Sequence, residues 1–192
     1  FVNGVPGYLD GVPGSGSRPV APPENITPAQ SVTLRVATYN VKNCVDGTAV
    51  EEIAQDINTN SLDIVCLQEL DRGGTRAGGK NLLRMLSQKT LPYYRFFAVI
   101  SKTLRGKAPC LLMGDFNILD FSELDGFQGM TPVNTAQRPI VTFPSDDGSE
   151  YPYLDNILFS ASVECRWAKP YVQTVSDHIM LMAEVTVENP EV

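Results

Sequence analysis

The chain has 192 residues, 43% of them hydrophobic and 19% charged. This is enough to bury the core of one ordinary domain, and it excludes wholesale disorder, a collagen-like repeat and a disulfide-dense mini-scaffold. Fifteen Lys and Arg against 22 Asp and Glu give a formal net charge of −7, which excludes a protein that holds nucleic acid chiefly through bulk electrostatics. A polyanionic substrate would need a local basic patch or a metal.

No stretch approaches the roughly 18–20 consecutive apolar residues of a membrane span, and no signal-peptide pattern opens the chain, so it reads as soluble. The first residue is Phe1 rather than Met, as expected where an N-terminal segment has been removed. The compartment stays open, secretion and periplasm included. Cys44, Cys66, Cys110 and Cys165 form no CxxC pair and His178 is the sole imidazole, so zinc-finger and c-haem readings fail. Cys66 and Cys110 sit in apolar runs, where a thiol acts as a small hydrophobe.

Residues 1 to 30 contain six prolines and five glycines, with the repeat Gly-Val-Pro-Gly at 4–7 and 11–14. Pro then Gly at successive positions favours turns, so residues 1–31 read as a tail or linker and 32–192 as the domain. Val32 to Tyr39 alternates with period two and is rich in β-branched residues, which predicts a strand ending at Asn40. Thr48 and Glu51 have the spacing of a capping box, and Val50, Ile53, Ala54 and Ile57 follow at helical spacing over residues 49 to 58. Leu62 to Leu67 is a nearly continuous apolar run leading into Gln68 and Glu69, the pattern of a central strand covered on both faces.

After the Gly-rich stretch 73–79, Leu82, Leu83 and Leu86 predict a helix to about Lys89. Strands are expected at Tyr94 to Ile100 and at Cys110 to Met113, the latter running into Gly114-Asp115-Phe116-Asn117. Further strands are expected at Leu154 to Phe159, Val163 to Trp167 and Ile179 to Val187. Strands and helices alternating before a β-rich C-terminal part indicate a mixed α/β fold.

Four of these strands begin or end at a carboxylate, an amide or the histidine: Asn40, Glu69, Asp115 with Asn117, and Asp177 with His178. Each alone reads as a cap or turn residue whose side chain bonds nearby backbone. As a set they place oxygen donors at the ends of rigid elements, where hard divalent cations and reactive groups are held.

The segments Val36-Ala37-Thr38-Tyr39-Asn40, Asp63 to Glu69, Leu112 to Asn117, Leu154-Asp155-Asn156-Ile157-Leu158 and Ser176-Asp177-His178 occur in the order found in one family. The chain resembles the endonuclease/exonuclease/phosphatase superfamily, the deoxyribonuclease I-like phosphoesterases, over residues 32 to 187. The resemblance implies a four-layer α/β/β/α fold, with two packed sheets flanked by helices, here shortened. It also implies hydrolysis of phosphoester or phosphodiester bonds with Mg²⁺ or Mn²⁺, water attacking in line at phosphorus.

By the same resemblance, Glu69 is the principal metal ligand, with Asn40 and Asp177 completing or supporting the site. Asp115 orients or deprotonates the attacking water, Asn117 is its hydrogen-bonding neighbour, and His178 contacts the phosphate. Asp155 is the carboxylate that orients His178, fixing its tautomer and favouring imidazolium.

The chain departs from the family between Glu69 and Asp115, where only 45 residues intervene. A complete member carries there a hairpin and a strand with a further histidine, and this chain has no histidine except His178. The expectation is a strand lost from the middle of a sheet, with neighbouring strands closing up or a second chain covering the gap by self-association or strand exchange. Loss of one transition-state donor can cost on the order of 10²–10³ in rate. The alternative reading is therefore an impaired remnant that binds a metal or phosphate, or serves as an interaction module.

From Arg72 to Ala108 there are nine Lys and Arg and no Asp or Glu, which leaves −16 on the rest of the chain. Arg72 and Arg76, on the Gly-rich loop just after Glu69, are candidate phosphate contacts. Lys80, Arg84 and Lys89 fit a solvated helix face equally well. Tyr93, Tyr94, Phe96 and Phe97 read as sheet core rather than a base-stacking cluster. With basic charge confined to one segment, a small phosphoester is favoured over a duplex, nucleic acid remaining an alternative.

Overall fold

A computed structural model describes residues 31–42, 47–71, 75, 77–91, 109–127, 129–173 and 175–188. The Pro/Gly-rich tail, Cys44, Arg72, Arg76 and the expected strand at 94–100 with its aromatic residues lie outside the described residues. So does most of the basic segment beyond Leu91.

The first strand, β1 (Ser31–Asn40), pairs in parallel with β2 (Ile64–Gln68) and antiparallel with β9 (Met180–Glu188), which in turn pairs with β8 (Val163–Tyr171). This gives a four-stranded sheet in the order β2-β1-β9-β8. A second sheet, ordered β3-β7-β4, is built from β3 (Leu111–Asp115), β7 (Asp155–Ser160) and β4 (Met130–Pro132). A small hairpin joins β5 (Phe143–Pro144) to β6 (Glu150–Tyr151).

Period-two alternation decides what each strand faces. On β1 and β9, Ala37, Tyr39, Met180 and Met182 point to α1 (Gly47–Thr59) and α2 (Leu82–Ser87), whose Val50, Ile53, Ile57, Leu82 and Leu86 complete that cluster. The opposite face sends Val36, Leu181, Ala183 and Val185 against Met113 and Ile157 of the second sheet. The outer face of the second sheet packs Leu158 on Ile118 and Leu124, beside a 3₁₀ helix at Phe121–Gly126 that Asp120 and Glu123 cap reciprocally. The order of layers is helices, sheet, sheet and an outer layer of 3₁₀ helix and loop. No helix of the described residues is long and apolar enough to cross a membrane.

One expectation needs correction. The helix starts at Gly47, so Thr48 lies inside it rather than at its cap. Among the described residues β2 is an edge strand, bonded only to β1. Its apolar run is nonetheless covered on both faces, since Val65 and Leu67 pack toward the helices and Cys66 into the sandwich; continuous apolarity reports coverage, not rank in the sheet. The shortened interval after Glu69 leads from β2 to β3, both sheet edges among the described residues, while 92–108, where the strand loss is expected, lies outside them.

Leu181 lies fully buried on β9, between β1 and β8 and facing the second sheet. Leu181→Ala should cost about 2–5 kcal/mol through lost burial and an unfilled cavity. Urea unfolding would register this as a lower midpoint at unchanged slope.

Candidate active site

The same alternation that builds the sandwich sends polar side chains into it at one end. Asp115 shares a face of β3 with Met113, and Asp155 shares a face of β7 with Ile157; the two aspartates stand directly opposite in the antiparallel register. Two like charges so placed repel. His178, in the loop leading into β9, lies between them with Nδ1 2.8 Å from Asp155 Oδ2 and Nε2 3.9 Å from Asp115 Oδ2.

Asp155 is completely buried. A carboxylate there must be paired, and the short contact makes it the acceptor of the His178 Nδ1–H. Burial pulls the imidazole pKa down, but the Asp155 hydrogen bond and the charges of Asp155, Asp115 and Asp177 outweigh it and raise it above its ordinary value. Burial likewise pushes the Asp155 carboxyl up, against the pull of His178. Asp155 N–H donates to Thr142 Oγ1 at 3.2 Å, and the Phe143 ring centre lies 4.9 Å from that of His178. Gln173 Nε2 donates to the His178 carbonyl at 2.6 Å, and His178 N–H donates to Ser176 Oγ at 3.1 Å, so backbone and ring are both held.

Asn40, buried at the end of β1, links the sheets. Its Nδ2 donates to Glu69 Oε1 at 3.1 Å and to Asp115 Oδ2 at 3.0 Å, while its Oδ1 accepts the Lys42 N–H at 2.9 Å. Two carboxylates on one side and an N–H on the other fix the orientation of this amide. Asn40 therefore supports Glu69 and Asp115 from its nitrogen, and its oxygen is engaged by backbone. Asn117 contributes through its backbone, its N–H donating to Asp115 Oδ1 at 2.9 Å; its side chain is exposed.

Asp177 lies across the mouth, where Lys42 Nζ approaches its Oδ2 to 2.7 Å. Partial burial would raise this carboxyl, yet the hydrogen bond and charge of Lys42, with His178 behind, hold it below its ordinary value. Ser176 O–H donates to the Asn40 carbonyl at 2.7 Å and fastens this loop to β1.

Glu69, Asn117 and Lys42 all have positive φ, at 59°, 52° and 42°. Ser61 is the one other non-glycine residue so placed among the described residues. Left-handed backbone costs such residues on the order of 1 kcal/mol each, and three of the four instances fall where β1, β2 and β3 end. Below them Asn134 and Asn156, both fully buried, exchange hydrogen bonds of 3.0 and 2.9 Å, and Asn134 Nδ2 also bonds the carbonyls of Ile140 and Pro152. This brace fixes the start of β7, hence Asp155.

Of the residues expected from sequence, Asn40, Glu69, Asp115, Asn117, Asp155 and His178 form one connected network, and Asp177 adjoins it through Ser176 and Lys42. Among the described residues, Asp115, Asp155 and His178 are the set whose ligand atoms lie within 4.8 Å of one another. The short Asp155–His178 bond makes this set an oriented acid–base pair rather than an open cage. Sequence reading missed Lys42, Thr142, Phe143 and the Asn134 brace, and it named Ser176 within a motif without giving it a role. Only Lys42, two residues past the strand-end Asn40, lay where the pattern could have drawn attention.

A sandwich with acid–base and oxygen-donor groups converging at the ends of its strands is the frame of a hydrolytic centre. The endonuclease/exonuclease/phosphatase family model matches residues 37–178, and the chain belongs to that family. Its fold is similar to that of an endonuclease/exonuclease/phosphatase family protein from Bacteroides thetaiotaomicron, at 15% identity over 85% of this chain and 98% of that one, with a TM-score of 0.58. It is also similar to a humanized D. rerio TDP2 (12% identity, 80% and 98% of the two chains, TM-score 0.59). A Bacteroides thetaiotaomicron mannosyl-6-phosphatase is similar as well (16% identity, 79% and 99%, TM-score 0.56). No curated protein sequence matches the chain.

As the only imidazole in the chain, His178 should give a single titrating ring signal by NMR. In metal-free protein its midpoint should lie above about 6.5, and Asp155→Asn should lower it. Because its pKa is raised on folding, the stability it contributes is complete below about pH 6.5 and is lost as pH rises through the folded value. Urea unfolding on either side of that midpoint would show the decrease.

Proposed function

We propose that the protein is a divalent-metal-dependent phosphoesterase in which water attacks phosphorus in line. The observation that carries this reading is the Asp155–His178 pair aimed at Asp115, with Asn40 tying Asp115 to Glu69. The similar folds of a TDP2 and a mannosyl-6-phosphatase support phosphoester chemistry.

The residues fit a hard cation. Glu69 and Asp177 offer carboxylate oxygens at the mouth, and the Lys42 ammonium already stands on Asp177 as a cation would. Glu69 and Asp177 would hold Mg²⁺ or Mn²⁺, with Asn40 setting the Glu69 carboxylate. The ion supplies charge that polarises the phosphoryl group and offsets the negative charge of the transition state.

The chain's own groups do the rest. Asp115 receives one hydrogen bond on each oxygen, from Asn117 N–H and Asn40 Nδ2, which fixes its direction and leaves lone pairs to orient and deprotonate water. His178, whose imidazolium form Asp155 favours, would present Nε2–H to a phosphoryl oxygen. Arg72 and Arg76 are proposed as additional phosphate contacts from the loop after Glu69.

A small phosphoester suits the site better than a long polyanion, because the charges that act on Lys42 at the mouth, Asp177, Asp146 and Glu69, are all negative. A second reading, a remnant that binds metal or phosphate without turnover, is favoured by one observation: His178 is the only histidine in the chain.

Hydrolysis of bis-p-nitrophenyl phosphate and p-nitrophenyl phosphate with Mg²⁺ or Mn²⁺ separates the two. The expected result is turnover that chelation abolishes and that Asp115→Ala or His178→Ala each reduce by about 100-fold or more. Glu69→Ala should raise the metal concentration needed. A folded protein that binds Mn²⁺ and hydrolyses neither compound would establish the remnant reading.

A further inference from the structure

Lys42 is built into the site at some cost. Its backbone is left-handed, at φ 42°, a conformation disfavoured for a side chain of this kind. What holds it there is the 2.9 Å bond from its N–H to Asn40 Oδ1, the other end of the amide that bridges Glu69 and Asp115. The ammonium reaches Asp177 Oδ2 at 2.7 Å although the Lys42 side chain is 59% exposed. Asp146, on the β5–β6 turn, and Glu69 are the further negative charges that act on it. Ser176 fixes the carboxylate side, its hydroxyl on the Asn40 carbonyl at 2.7 Å. The Lys42 backbone and the Ser176 loop are thus both held, and the exposed ammonium is the part that can move.

We propose that Lys42 is an internal competitor for the divalent ion: its ammonium occupies Asp177 in the metal-free protein and must leave before that carboxylate can ligate a metal. This rests on the metal-dependent reading above. Once displaced, the ammonium stays tethered by its backbone within the same mouth, where an arriving phosphoryl group is the natural counter-ion. Metal and phosphate binding are thereby coupled, since the metal frees the cation that the phosphate then meets.

The test is calorimetric titration of Mn²⁺ into wild type, Lys42→Met, Asp177→Asn and the double variant, with Glu69→Ala as reference and no substrate present. Lys42→Met should bind Mn²⁺ about two- to fivefold more tightly than wild type, the range set by an exposed ion pair. The gain should vanish when Asp177 is already Asn, because competition for that carboxylate is then gone. A gain of equal size in the Asp177→Asn background would mean general charge repulsion and overturn the proposal. So would unchanged or weaker Mn²⁺ binding by Lys42→Met while Glu69→Ala abolishes it, and in that case the phosphoesterase reading survives. Wild type that binds no Mn²⁺ overturns both. Inorganic phosphate titrated into the Mn²⁺-loaded proteins should bind several-fold more weakly to Lys42→Met; equal affinity would overturn the coupling.

Discussion

Two aspartates facing each other across an antiparallel pair set the problem that the rest of the site solves. Asp115 and Asp155 occupy one face of β3 and β7 and point into the sandwich, one of them fully buried. Unpaired, a buried carboxylate costs several kcal/mol, and a like charge opposite adds to it. His178 relieves both, which requires its loop to be held at the correct depth. Ser176 and Gln173 hold the backbone of that loop and Thr142 braces Asp155. The polar network is thus a condition of folding this end of the sandwich as well as a candidate for chemistry.

Asn40 carries the same logic between the sheets. An amide is the one neutral side chain that can donate to two carboxylates and still accept a backbone N–H. Replacing it with a carboxylate would add a third negative charge, and replacing it with an apolar residue would leave Glu69 and Asp115 without their common donor. The left-handed residues Lys42, Glu69 and Asn117 follow from this geometry. Each strand must stop and turn sharply so that its terminal group points inward, and the strain is borne where the hydrogen bonds are densest.

Much of this was legible in the sequence, for identifiable reasons. Period two located β1, apolar and β-branched runs located β3, β7, β8 and β9 to within a few residues, and the chemistry-bearing residues stood at strand ends, where those patterns break into polar pairs. What could not be read is anything decided by a neighbour distant in sequence. Which strands flank β2 depends on long-range pairing, not on its own composition. β4 has three residues and β5 and β6 two each, too few for any period. The direction of the Asn40 amide depends on Glu69 and Asp115, 29 and 75 residues away. Lys42 reads as an ordinary surface lysine until Asp177 is placed beside it.

Having one histidine changes what that residue must do. The Nδ1–H is committed to Asp155, and at 3.9 Å Nε2 is too far from Asp115 Oδ2 for a hydrogen bond. The separation keeps the attraction of opposite charges, which raises the imidazole pKa, without spending the second N–H on the carboxylate. That N–H therefore faces the gap between an acid and a base, where a third oxygen can approach both. With no second imidazole in the chain, the positive charge that the described residues bring to this centre falls to His178 and the mouth Lys42. In the proposed phosphoesterase, the balance between these charges and a bound cation, more than any single residue, would govern how well the site holds a phosphoryl group.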